Sequence, residues 1–140
     1  MITDVKYKEI CIGDTTCIHK TITEDSIIKF ADITGDINPI HLDDAFASRT
    51  MFKKRIAHGM LTSSFISAVL GTKLPGANTL YLGQNLKFLA PVFIGDQLTT
   101  SVEVKEKKDE KQIIVLSTMI TNQLGQKIVS GEAVVKKMEV

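Results

Sequence analysis

The segment Thr34-Gly35-Asp36-Ile37-Asn38-Pro39-Ile40-His41 carries a carboxylate and an imidazole five residues apart, with an amide between them. Gly35 permits a tight turn, and Pro39 stiffens the approach to His41. A rigid polar loop of this kind can hold a water between Asp36 and His41, and such a pair suits proton transfer near neutral pH. The same residues also read as a helix exit with Asp-Asn-Pro turn chemistry and a surface histidine, and spacing alone leaves both readings open.

A second cluster, Ala57-His58-Gly59-Met60, stands just before a strongly apolar segment. Helix N-termini present unpaired N–H groups that can polarise a carbonyl, and Gly59 would let a ligand approach the backbone. The plainer alternative is that His58 and Gly59 merely cap a core helix. Ser67 follows two turns into that helix, where a serine often bonds only to the carbonyl four residues back. No Gly-x-Ser-x-Gly elbow surrounds any serine, which argues against a serine hydrolase. Asp36, His41 and His58 match no zinc-ligand spacing, so no metal is expected.

Several elements must position these groups. Val5 to Ile10 and Thr15 to Ile22 are candidate strands with a turn at Gly13-Asp14. Thr23 is a good N-cap with Glu24 and Asp25 behind it; Ile27, Phe30, Ala31 and Thr34 keep helical spacing, and Gly35 supplies a stop. A short helical segment is expected around Asp43 to Ser48. Gly59 to Leu70 is the strongest helix, with Leu61, Phe65, Ala68 and Val69 on one stripe, small residues opposite, and Gly71 as expected C-cap. A helix apolar or small nearly all round should be buried on most sides. The last sixty residues alternate with period two. Leu80, Leu82, Leu86 and Phe88 are expected to share one strand face, and Leu98, Thr100, Val102 and Val104 another. Ile114, Leu116 and Ile120 mark a third strand and Ile128 to Val135 a fourth, with turns at Lys108–Lys111 and Asn122–Gly125. A buried helix followed by a long antiparallel sheet suggests an α+β fold whose sheet curls around the helix.

Composition narrows the function. The chain has 140 residues, 44% of them hydrophobic, enough to bury a core as one domain. Net charge is +1, which gives no electrostatic case for nucleic acid or an anionic membrane, although Lys53, Lys54 and Arg55 could form a local basic patch. Cys11 and Cys17 are expected as free thiols. The start lacks the basic and apolar regions of a secretory signal. The longest uncharged stretch, between His58 and Lys73, is too short and too rich in serine and threonine to span a bilayer. A cytoplasmic protein is expected.

Together the motifs resemble a known family. Phe30 to His41, ending in Thr-Gly-Asp-Ile-Asn-Pro-Ile-His, resembles the hydratase signature of the MaoC-like, (R)-specific enoyl-CoA hydratases. Arg55 to Ser67 resembles that family's central helix, and Leu74-Pro-Gly, Tyr81 to Val92, Gly95-Asp96 and Gly131 to Lys136 add support in the same order. The resemblance implies a hot dog fold over residues 1–140, a curved antiparallel sheet around a long central helix, and a homodimer. It implies hydration of trans-2-enoyl-CoA to (R)-3-hydroxyacyl-CoA, with Asp36 and His41 as the catalytic pair and Asn38 shaping the loop. Gly59 would offer its N–H to the thioester oxygen, and Ser67 would line the site. No cofactor is implied, because coenzyme A belongs to the substrate. The acyl tunnel is expected to run past Ser67 and Leu70 toward Val135, whose side chains would close it after roughly four to six carbons. The alternatives are a hot dog thioesterase, against which the Asp-x-Asn-Pro-x-His loop argues, and a non-catalytic acyl-CoA-binding subunit, which would not need both Asp36 and His41.

Overall fold

Alternation in the last sixty residues translates directly into a sheet. Leu98, Thr100, Val102 and Val104 are all buried along β3 (Gln97–Lys108), and Ile114, Leu116, Thr118 and Ile120 along β4 (Ile113–Thr121). With β1 (Thr15–Thr21), β2 (Thr79–Phe88) and β5 (Lys127–Lys137) they form one antiparallel sheet in the order β1-β3-β4-β5-β2. The computed structural model describes residues 1–139.

Among the described residues four helices lie between β1 and β2: α1 (Glu24–Thr34), α2 (Pro39–Leu42), α3 (Asp44–Ser48) and α4 (Gly59–Thr72). Thr23 caps α1 through a reciprocal pair of bonds with Ser26, and Ile27 and Ala31 turn inward. The central helix α4 packs against β1, β2 and β3. Its Leu61, Ile66, Val69 and Leu70 join Leu98, Val102, Leu116, Val129, Ala133 and Val135 in the core. This is the hot dog arrangement and the α+β class.

The structure departs from the sequence expectations at five places. Val5 to Ile10 is not a strand: Asp4 makes an isolated bridge to Gly76, and Tyr7–Glu9 is a 3₁₀ turn. Tyr7 and Ile10, the buried pair there, are three apart, the spacing at which side chains eclipse in such a turn. Pro39 does not merely stiffen a loop; it opens α2, which contains His41. Gly71 is not the C-cap, since α4 runs on to Thr72 and Lys73 follows it. One stripe of α4 is open, with Met60, Ser64, Ser67, Ala68 and Gly71 exposed. Finally, the register of β2 shifts between Tyr81 and Gly83, so Leu80 and Leu82 do not share a face with Leu86 and Phe88. Tyr81, Gln84, Leu86 and Phe88 pair with Val135, Ala133, Gly131 and Val129, and therefore look inward over α4.

Candidate active site

The Asp36 loop is built by local bonds. Gly35 ends α1 with φ of 80°, and its N–H closes on Ala31 O at 2.9 Å. The Asp36 carboxylate accepts from Asn38 N at 3.3 Å, and the Asn38 side chain accepts from Ile40 N at 3.3 Å. Asn38 is thus the N-cap of α2, with Pro39 in its first turn. The result sets Asp36 in an exposed loop and delivers His41 to the interior, 8% exposed. The surface-histidine reading does not survive.

A second segment, residues 56–59, completes the site. His41 Nδ1–H donates to Ile56 O at 2.7 Å; a carbonyl can only accept, so in the neutral ring Nε2 keeps its lone pair. His58 Nε2–H donates to Asp36 O at 3.0 Å. The two imidazoles are stacked, centroids 3.9 Å apart and planes 31° apart, and the Phe30 ring lies 4.8 Å from that of His58. A carboxylate oxygen of Asp36 and a ring nitrogen of each histidine lie within 4.8 Å of one another. Two hydrogen bonds near 2.8 Å meeting at a tetrahedral water span about 4.5 Å, a separation that lies inside this limit. Burial pushes the His41 imidazole below its ordinary value of 6.5; the bond to Ile56 opposes this, His58 adds to it, and Asp36 opposes it.

Next to His58, Gly59 opens α4, and the His58 side chain makes no capping bond to the helix. The first amides of this 14-residue helix are therefore left for a ligand. A Cβ on Gly59 would stand 2.9 Å from Phe88 Cε1, so only glycine leaves that corner open without moving the ring. Two apolar cavities flank the corner. One, of about 380 Å³, is lined by Ile56, Gly59, Thr62, Phe88, Ile128 and Val129, among others. The other, of about 590 Å³, runs along the open stripe of α4 past Phe30, Met60, Ser63 and Ser67 to Tyr81 and Gln84.

Of the residues singled out in the sequence, Asp36, Asn38, His41, His58 and Gly59 come together, and Ser67 lines the adjoining larger cavity. Leu70 and Val135 lie in the core, 2% and 0% exposed, and do not line that cavity; Tyr81, which does, pairs with Val135 across the ladder. The Ile56 carbonyl, which orients His41, leaves no trace in the sequence because any residue carries one. Arg55 does not extend a basic patch. It is buried, bonded to Glu24 and Asp44 at 2.9 Å each, and so ties α1 and α3 to the segment that holds Ile56. A carbonyl bond on one nitrogen of His41 and of His58 leaves the other nitrogen of each ring free; what argues against a metal at the Asp36–His41–His58 cluster is the ligand spacing, which matches no zinc signature. Cys11 and Cys17 are free and exposed.

The family model described as the MaoC-like domain matches residues 14–125, four-fifths of the chain. The chain belongs to the MaoC-like family. It is 45% identical over 125 residues to the (R)-specific enoyl-CoA hydratase of Aeromonas caviae, an alignment covering 89% of this chain and 93% of that protein. It is 46% identical over 131 residues to the 3-hydroxybutyryl-CoA dehydratase of Methylorubrum extorquens, covering 93% and 82%. Among solved structures, an unliganded R-hydratase from Pseudomonas aeruginosa superposes with a TM-score of 0.95 at 42% identity, covering 99% of this chain and 89% of that one. The MaoC-like fold therefore extends over the whole described chain, with the paired loops at the N-terminus of α4.

Proposed function

We propose that this MaoC-like protein is a lyase that hydrates trans-2-enoyl-CoA thioesters to (R)-3-hydroxyacyl-CoA. The observation that carries the reading is the meeting of Asp36 and His41, within 4.8 Å of each other, beside the uncapped N-terminus of α4. A thioester draws electrons from its conjugated double bond, so C3 accepts the oxygen of water. Negative charge then gathers on the thioester oxygen, where the Gly59 N–H and the helix dipole stabilise it. The water gives up one proton to the Asp36–His41 pair as its oxygen bonds to C3, and C2 takes one proton back, so the sum is addition of one water. His41, with Nδ1–H held by Ile56, offers Nε2 as acceptor. With the acyl chain held along α4, the pair reaches one face of the double bond, and one enantiomer forms.

The larger cavity takes the acyl chain, because it holds Ser67 and adjoins Phe30 and Thr34, which lead into the Asp36 loop. Tyr81 faces the chain's far end and closes it, with Val135 and Leu70 packed in the core behind. The reaction needs no metal or resident cofactor, since the thioester supplies the activation. The protein acts as a single-domain, cytoplasmic homodimer. Among the described residues no helix is long and apolar enough to cross a membrane.

Incubation with crotonyl-CoA separates this reading from its rivals. Loss of enoyl absorbance with the thioester intact is the expected outcome. Release of free thiol would instead mean thioesterase, and binding without turnover would mean a carrier subunit.

A further inference from the structure

His58 is 2% exposed, yet its ring is not used to cap the helix whose N-cap position it occupies. Its Nε2–H crosses to the main-chain carbonyl of Asp36 at 3.0 Å, and its face lies on His41. Its Nδ1 is buried without a hydrogen-bond partner. An unpaired buried nitrogen is costly, and a residue needed only to fill space there would be better apolar. His41 makes the mirror-image connection, donating from the 39–42 helix to Ile56 O in the segment that carries His58. Each histidine is therefore laced to the other's segment, and the stack closes the loop between them. Every other bond that holds Asp36 is local: it lies in an exposed loop, its N–H donates to Thr34 Oγ1 at 3.2 Å, and its carboxylate accepts from Asn38 N.

We propose that His58 is a positioning residue for the hydration, holding the Asp36 backbone and the His41 ring in register with the Gly59 amide that follows it in the chain. This rests on the reading of Asp36 and His41 as the reacting pair. Nothing in the role requires His58 to touch substrate. It couples the acid–base groups to the donor that stabilises charge, two parts that belong to different segments and must keep a fixed separation.

The test compares His58→Phe with His58→Gln on crotonyl-CoA. Phenylalanine keeps the aromatic face and loses the donor; glutamine keeps a donor of similar reach and loses the face. The expected result is a fall in kcat of about 10- to 100-fold for His58→Phe, the scale on which a small misplacement of reacting groups acts. KM should change little, and His58→Gln should lie closer to wild type. Near-normal kcat in His58→Phe, or phenylalanine outperforming glutamine, would overturn the proposal in favour of a packing role. The 15N shifts of the His58 ring in the wild-type protein give a second check that needs no variant. Protonation at Nε2 is expected, and an Nδ1–H tautomer would also overturn it. Asp36→Asn measured alongside separates the two levels. If that variant keeps wild-type turnover, the reading of the site fails. If it is inactive while His58→Phe is not, only the role of His58 fails.

Discussion

His41 is set between burial, which keeps it neutral, and the Ile56 carbonyl and Asp36 carboxylate, which favour its charge; burial is the largest influence and the shift is downward from 6.5. Its Nε2 therefore stays available as an acceptor below the pH at which a free histidine protonates. The acid limb of the kcat/KM profile for crotonyl-CoA is expected below pH 6.5, and a limb above 6.5 would assign it to another group. Stability follows the same sign. The unfolded chain binds the His41 proton more readily, so stability rises with pH through the window just below 6.5 and is lost as pH falls through the folded value. Urea midpoints across that window should slope upward in the wild type and flatten in His41→Gln. The same variant should lose roughly two to four orders of magnitude in turnover, the range for a general acid–base group. At this scale the sequence was legible where side chains speak for themselves. Asp36, Asn38 and His41 stood out as candidates by type and order, although spacing alone left a plain turn open as well and the family resemblance supplied their expected roles. The burial of His41 and the direction of the His58 ring were not, because both depend on a segment fifteen or more residues away.

Among elements, the N-terminus of α4 and the inward face of β2 decide what the site admits. Gly59→Ala keeps the amide but drives a methyl to within 2.9 Å of the Phe88 ring. Phe88 is half exposed and can swing aside, so folding should survive. Turnover should fall about 10- to 100-fold as the corner narrows, with melting temperature little changed. Crotonyl-CoA kinetics with a thermal melt check this, and wild-type kcat/KM would remove Gly59 from the site. Acyl length gives a second contrast. The wild type is expected to prefer crotonyl-CoA to octenoyl-CoA in kcat/KM. Tyr81→Ala should shift the ratio toward octenoyl-CoA with less destabilisation than Leu70→Ala, whose core cavity costs about 2–5 kcal/mol. Equal ratios in Tyr81→Ala and wild type would place the acyl chain elsewhere. The role of Tyr81 escaped the sequence because the alternation of Leu80, Leu82, Leu86 and Phe88 spells one face. The bulge before Gly83 reverses that parity, and periodicity carries no mark of an inserted residue. The N-terminal turn was missed for a related reason: Val5, Tyr7 and Ile10 alternate almost like a strand over too few residues to tell the two periods apart.

For the whole molecule, the sheet ends at β2, whose ten residues carry Leu80, Leu82 and Phe88 about half exposed, beside the open stripe of α4. A long apolar edge invites pairing, and the occupant expected here is the β2 strand of a second copy. Light scattering at assay concentration should give a dimer, and an active monomer would contradict it. A sheet curled around a buried helix was legible, because Leu98 to Val104 of β3 and Leu116 to Ile120 of β4 alternate and α4 is rich in apolar residues; the hot dog fold itself was implied by the family resemblance. The central claim, that Asp36 and His41 together add water to an enoyl thioester, is tested most directly by the initial rate of enoyl absorbance loss from crotonyl-CoA in wild type and Asp36→Asn, with the product's configuration determined. The account predicts (R)-3-hydroxybutyryl-CoA from the wild type and a rate roughly two to four orders of magnitude lower in the variant. A variant with the wild-type rate, or a product of mixed or (S) configuration, would contradict it.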